Sequence, residues 1–137
     1  MIIESEFVDL PTPTGIMRTY VHKPKSESTF PTILFYSEIF QQTGPIERAA
    51  KIMASHGFVV LVPEVFHELN EIGTVLNYDD AGRDKGNADK SEKNVQAYDT
   101  DNQAMIDWVG KQKWTNGHVG AMGFCIGGHL AFRAALN

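Results

Sequence analysis

The chain is 137 residues long, 42% hydrophobic and carries a formal net charge of −5 at pH 7, which suits one small globular domain over residues 1–137 with enough apolar material for a core. Its Lys and Arg are scattered, which argues against nucleic acid or a membrane surface as the main partner, and no apolar run approaches the roughly 20 residues needed to span a bilayer. The single cysteine, Cys125, excludes an intrachain disulfide, and the opening MIIESEFVDL lacks the regions of a secretory leader, so a reducing, cytoplasmic setting with a small-molecule partner is expected.

Taken in order, Glu6 to Leu10 and Met17 to Lys23 read as two strands separated by the proline and glycine of PTPTG, an antiparallel hairpin. Thr32 to Tyr36 is a continuous apolar run of the kind buried on both faces of a sheet. From Pro45 to His56, Ile46, Ala49, Ala50 and Met53 recur at helical spacing, with Pro45 near the first turn and Gly57 just past the end. Phe58 to Val62 repeats the buried-strand signal, so strand, helix and strand form a crossover unit. Glu64 to about Lys93 is polar and rich in Gly, Asp, Asn and Lys. It is expected to be a long loop with at most a short helix, serving either as a pocket wall or as a solvated excursion. Helical spacing resumes at Val95, Tyr98, Asn102, Met105, Ile106 and Val109. HVGAMGF is a last short strand, and GGHLAFRAALN opens a helix.

Cys125 therefore stands where a strand ends and a helix begins, with Gly123 two residues before it and Gly127 two residues after. That is the spacing of a nucleophile elbow. A sharp turn lifts the nucleophile clear of the sheet, and the flanking segments approach too closely for a Cβ at either glycine. The positive end of the following helix faces the sulfur, as suits a cysteine nucleophile, and the Ile126 N–H points toward a developing oxyanion. The plain alternative is a buried, inert cysteine at a glycine-rich strand end. A dinucleotide fingerprint does not fit, because the glycines at 120, 123, 127 and 128 miss the GxGxxG spacing.

GFCIGGH after a short strand, YSEIF at the end of an earlier one and VPEVFH after the next resemble the dienelactone hydrolase family, α/β-hydrolases with a cysteine nucleophile. The likeness runs over the whole chain, which covers the N-terminal half to three-fifths of such a domain. The resemblance implies an α/β-hydrolase fold, a mostly parallel sheet with helices on both faces, cut off after the elbow helix. It implies Cys125 as nucleophile and Glu38 as the carboxylate that holds the thiol in check and helps activate it when substrate arrives. Ile39 and Ile126 would supply the oxyanion-hole amides, and Arg83 would bind a substrate carboxylate. His67 lies where the family lines its pocket, giving a substrate-side contact. The plain readings are a solvated acid at Glu38, a surface arginine at Arg83 and an ordinary loop residue at His67.

No metal or organic cofactor is implied. HELNE lacks the second histidine of a zinc motif, Glu71 standing in its place. His129 is expected to pack in its helix, and no role falls to His22, His56 or His118. Twelve residues follow Cys125, with no Asp or Glu among them. The acid and histidine that follow the nucleophile in this fold are thus expected elsewhere, and the 137 residues alone are expected to be inactive. Without later strands HVGAM is left as an apolar sheet edge, so pairing with a C-terminal portion or self-association is expected. The function implied is hydrolysis of a lactone or ester of a small carboxylate-bearing substrate. The alternatives are a general carboxylesterase of the same fold and a non-catalytic binding remnant.

Overall fold

The structure, a computed structural model, describes residues 1–136. The chain runs β1 (Ile3–Thr12), β2 (Gly15–Pro24), β3 (Phe30–Tyr36), α1 (Gly44–Ala54), β4 (Val59–Pro63), α2 (Asp80–Glu92), α3 (Val95–Gly110), β5 (Thr115–Gly123) and α4 (Ile126–Leu136). The five strands form one sheet in the order β1-β2-β4-β3-β5. The expected hairpin is present, but each strand has 10 residues, paired from Ile3 with Pro24 to Thr12 with Gly15. The apolar runs understate β1 because most of its residues face solvent.

Strand β2 pairs antiparallel with β4, while β3 runs parallel to both β4 and β5. Side chains alternate faces along each strand, and the two central strands divide their residues accordingly. Leu34, Tyr36, Val59 and Leu61 join Met17, Met105, Val109 and Leu130 on the face covered by α3 and α4. Phe35, Val60 and Val62 meet Ile46, Ala50 and Ala54 of α1 on the other. β4 is buried along its whole length, the condition expected of a parallel strand covered on both faces. β5 differs: it is bonded on one side only and none of its residues is fully buried.

The segment expected as a long loop contains the 13-residue helix α2. Asp79 caps it by accepting the Gly82 N–H at 2.7 Å, and its inward residues are Gly82, Gly86 and Asp89. Helical spacing is there, at i, i+4 and i+7, but it is carried by glycine and aspartate. An apolar-periodicity reading cannot see a helix that docks by lacking side chains. Among the described residues no helix is long and apolar enough to cross a membrane.

Candidate active site

β5 ends at Gly123 and α4 begins at Ile126, so the chain turns over two residues. Cys125 takes φ +57°, in the left-handed region that a non-glycine residue rarely enters, and its side chain is exposed. The turn is closed by Gly127 N–H donating to Phe124 O (2.8 Å) and Gly128 N–H to Cys125 O (3.0 Å), while Phe124 N–H reaches Tyr36 O at the end of β3 (3.3 Å). A Cβ on Gly123 would lie 2.2 Å from Gly127 O, and one on Gly127 would lie 2.1 Å from Tyr36 O and 2.6 Å from Ser37 O. The two glycines flanking the cysteine are thus required by backbone contact, as their spacing predicts.

That contact also brings the elbow against Tyr36 and Ser37, just before Glu38. Glu38 is half-buried, and among the described residues its carboxylate has no hydrogen-bond or ion-pair partner. Ile39 is buried beneath α2: a Cβ on Gly86 would fall 2.8 Å from Ile39 Cβ. Among the described residues, neither the Ile39 nor the Ile126 backbone N–H has an acceptor. Two donors without acceptors therefore stand on the two segments that meet near Cys125.

The loop between β3 and α1 is fastened from several directions. Gln41, buried and at φ +67°, donates from Nε2 to Thr74 O (2.9 Å) and accepts the Phe66 N–H at Oε1 (3.3 Å). Leu76 N–H donates to Phe40 O, and the Thr43 and Tyr78 hydroxyls lie 2.6 Å apart. On the other side, His22 Nε2 meets Gln42 Oε1 at 3.0 Å and Nδ1 meets the Ser5 hydroxyl at 2.8 Å. A neutral ring donating from Nε2 satisfies both, and burial pushes His22 below the ordinary histidine value. Gln41 carries no sequence signal, because its partners are distant backbone atoms.

The two substrate-binding candidates are not brought to the elbow by any contact. Arg83 lies on α2 with its side chain 58% exposed and pairs along that helix with Asp80 and Asp84. His67 is buried in a structural network: Nδ1 faces Glu64 O at 3.1 Å and Nε2 faces Thr14 Oγ1 at 2.6 Å. With both ring nitrogens so engaged, His67 braces the β1–β2 turn against the start of the β4–α2 connection. Burial pushes its pKa down, against the upward pull of Asp101. His67, Glu68 and Asp101 hold possible metal donors within 4.8 Å of one another. Lys93 already supplies the cation there, bonded to Asp101 (2.5 Å), Glu68 (3.1 Å) and Val65 O (2.5 Å).

The sequence model of the Dienelactone hydrolase family matches residues 17–137. The chain belongs to the dienelactone hydrolase family. A Saccharomyces cerevisiae protein provisionally named carboxymethylenebutenolidase is 40% identical over 144 aligned residues, covering 100% of this chain and 52% of that protein. The carboxymethylenebutenolidase of Pseudomonas putida is 28% identical over 110 residues, 77% of this chain and 44% of its own length. A provisionally named dienelactone hydrolase from Klebsiella pneumoniae superposes with a TM-score of 0.84 at 20% identity, over 98% of this chain and 55% of that one. The fold is therefore that of the α/β-hydrolases, and the chain spans about half the length of the curated relatives it matches.

The elbow glycines make a contrast that mutagenesis can read. Gly127→Ala drives a Cβ into Tyr36 O and should cost about 2 kcal/mol or more of unfolding free energy in urea. Gly128→Ala, whose Cβ would sit an ordinary 3.6 Å from Gly123 O within a helix, should stay within about 1 kcal/mol of the parent. Burial of neutral His22 and His67 sets a pH dependence. Below about pH 6.5 the unfolded chain takes up protons that the folded chain resists, so stability should fall with acidification. His22→Gln should flatten that fall when unfolding is measured at about pH 7.5 and about pH 5.5.

Proposed function

We propose that this chain carries the nucleophile and oxyanion side of a carboxylic-ester hydrolase of the dienelactone hydrolase type, with Cys125 as nucleophile. The observation that carries the reading is a left-handed cysteine at a β5–α4 elbow, with the Ile126 amide next to it and the Ile39 amide on the loop after β3 both without acceptors. Cys125 Sγ attacks the carbonyl carbon and the Ile39 and Ile126 N–H groups hold the oxyanion. The ester C–O bond then breaks, and the alkoxide leaves with a proton. Water attacks the thioester, giving the carboxylic acid and returning the sulfur. Glu38, next to the elbow contact and with an unpaired carboxylate, restrains the thiol and takes its proton when substrate enters.

No histidine ring among the described residues hydrogen-bonds the Cys125 sulfur. The relatives have about as much polypeptide again as the part matched here, and we assign the proton-transfer histidine and its carboxylate to the counterpart of that further part. The names of the curated relatives add the substrate class, a butenolide lactone bearing a carboxymethylene group. Arg83 is the candidate partner for that carboxylate. Its exposure and its pairing with Asp80 and Asp84 favour a second reading, a general carboxylesterase that does not select for charge. A lone thiol without a disulfide partner suits a reducing, cytoplasmic setting.

Hydrolysis of a dienelactone and of p-nitrophenyl acetate by the full-length protein separates these readings. Cys125→Ala should abolish turnover of both, and full activity in that variant removes the nucleophile. Arg83→Ala should raise KM for the dienelactone alone, and equal effects on both substrates favour the general esterase. A protein whose thiol neither turns over ester nor reacts selectively with iodoacetamide is a binder rather than an enzyme.

The reading also extends the sheet past β5. This strand is hydrogen-bonded only to β3, Val119 is 41% exposed, and Leu34, Ile106, Ala121 and Ala134 line an apolar groove beside it. The relatives have further polypeptide of similar length, and such a segment, or a second copy, covers the edge. Residues 1–137 by themselves should therefore self-associate in sedimentation velocity. A monodisperse monomer with freely exchanging β5 amides counts against it.

A further inference from the structure

We infer that Gln41 is a positioning residue whose carboxamide sets where the Ile39 amide stands relative to Cys125. This rests on the reading of Cys125 as nucleophile and deepens it.

Among the described residues only Gln41 and Cys125 combine a side chain with a left-handed backbone. Such strain persists where surrounding contacts over-determine the conformation, and both residues sit on the segments that meet at the elbow. Glycine would adopt φ +67° without strain, so a glutamine there is held by what its side chain does. The side chain is 1% exposed and spans two backbone strands of the β4–α2 connection, taking the Phe66 N–H at Oε1 and giving Nε2–H to Thr74 O. Its own N–H returns to Glu38 O (3.3 Å), and its carbonyl accepts Thr43 N–H (2.9 Å). The residue therefore closes the turn that contains Glu38 and Ile39 while bolting it to a separate part of the chain.

The bolt matters because Ile39 has no strand or helix of its own to fix it. Gly86 of α2 presses on its side chain from outside, and Gly127 of the elbow lies against the carbonyls of Tyr36 and Ser37 just before it. The Glu38–Ile39 peptide plane is held through Glu38 O, which accepts from Ser37 Oγ–H (3.0 Å) and from the Gln41 N–H (3.3 Å), so its orientation depends in part on how Gln41 is anchored. Gln41 is the nearest following residue whose side chain hydrogen-bonds a distant part of the backbone. Loss of its amide leaves the nucleophile in place and turns one oxyanion donor away.

The test uses the full-length protein with p-nitrophenyl acetate as substrate and iodoacetamide as a second probe. Alkylation displaces iodide at a saturated carbon and forms no oxyanion, so it reports on Cys125 without using the Ile39 amide. Gln41→Gly should lower kcat by about 10-fold or more while KM and the alkylation rate stay within about 2-fold of the parent. A folded Gln41→Gly protein with parental kcat overturns the inference, as does an alkylation rate that falls in step with kcat. If that variant does not fold, Gln41→Glu carries the test at nearly unchanged volume. At alkaline pH its carboxylate cannot donate to Thr74 O and kcat should drop. On acidification the neutral carboxyl donates again, and the ratio to the parent should rise. Parental kcat for Gln41→Glu at alkaline pH overturns the inference. Cys125→Ala, assayed alongside, separates the two levels: parental turnover there removes the nucleophile itself, whereas its loss together with unimpaired Gln41 variants removes only the positioning role.

Discussion

The end of β3 meets the elbow backbone to backbone, and much of the molecule is arranged around that meeting. Tyr36 O receives the Phe124 N–H, while Gly123 and Gly127 bring their Cα atoms so near that no Cβ fits. Parallel pairing from Thr32 with Val119 to Tyr36 with Gly123 delivers the end of β5 to that spot. The same approach aims α4 back across the sheet, where Leu130 and Ala131 enter the core with Leu34 and Leu61. Exposure of Cys125 at the corner is a consequence of this packing, because a strand and a helix pressed together leave the turn between them nowhere to go but outward.

Strain and hydrogen bonding divide the work around that corner. The two left-handed side-chain residues, Cys125 and Gln41, stand on the two segments that contribute amides without acceptors. From Thr32 with Val119 to Tyr36 with Gly123 the β3–β5 pairing beneath them is continuous, and the register shift lies at the far end, between Phe30 and Thr32. The segment from Glu64 to Asp79 enters the core at Val65 and Phe66 and is tied down beyond them by polar contacts. The Glu64 carboxylate accepts from Tyr20 O–H (2.9 Å) and Gly73 N–H (3.0 Å), and burial with that hydrogen bond pushes Tyr20 up to about 12. Buried carboxylates are tolerable only when paired in this way.

A second polar cluster joins parts of the chain far apart in sequence. Thr14 in the hairpin turn, His67 after β4, Lys93 after α2 and Asp101 on α3 share one hydrogen-bonded network. The buried Lys93 ammonium lies between Asp101 and Glu68 and balances their charge. Breaking such a network by removing one charge is costly, which makes it a fixed point for the α3 N-terminal half. His67 accordingly belongs to the scaffold, although its place after a buried strand resembles that of a pocket residue.

Local pattern by itself determined the hairpin, the strand–helix–strand crossover, the long helix before β5 and the glycine-flanked turn at Cys125. Each of these depends on residues a few positions apart: alternating or continuous apolar runs, a proline at a helix start, glycines two residues either side of Cys125. YSEIF and GFCIGGH carry the resemblance that implies roles for Glu38, Ile39 and Ile126. Tertiary structure alone decided that a glycine-faced helix occupies residues 80–92, that Gln41 anchors the Ile39 loop, and that His67 braces a turn. It also decided that Arg83 pairs along its own helix. The physical reason is reach: periodicity reports what a segment buries, whereas a carboxamide bonded to a distant backbone carbonyl, or a helix seated by absent side chains, leaves no local trace.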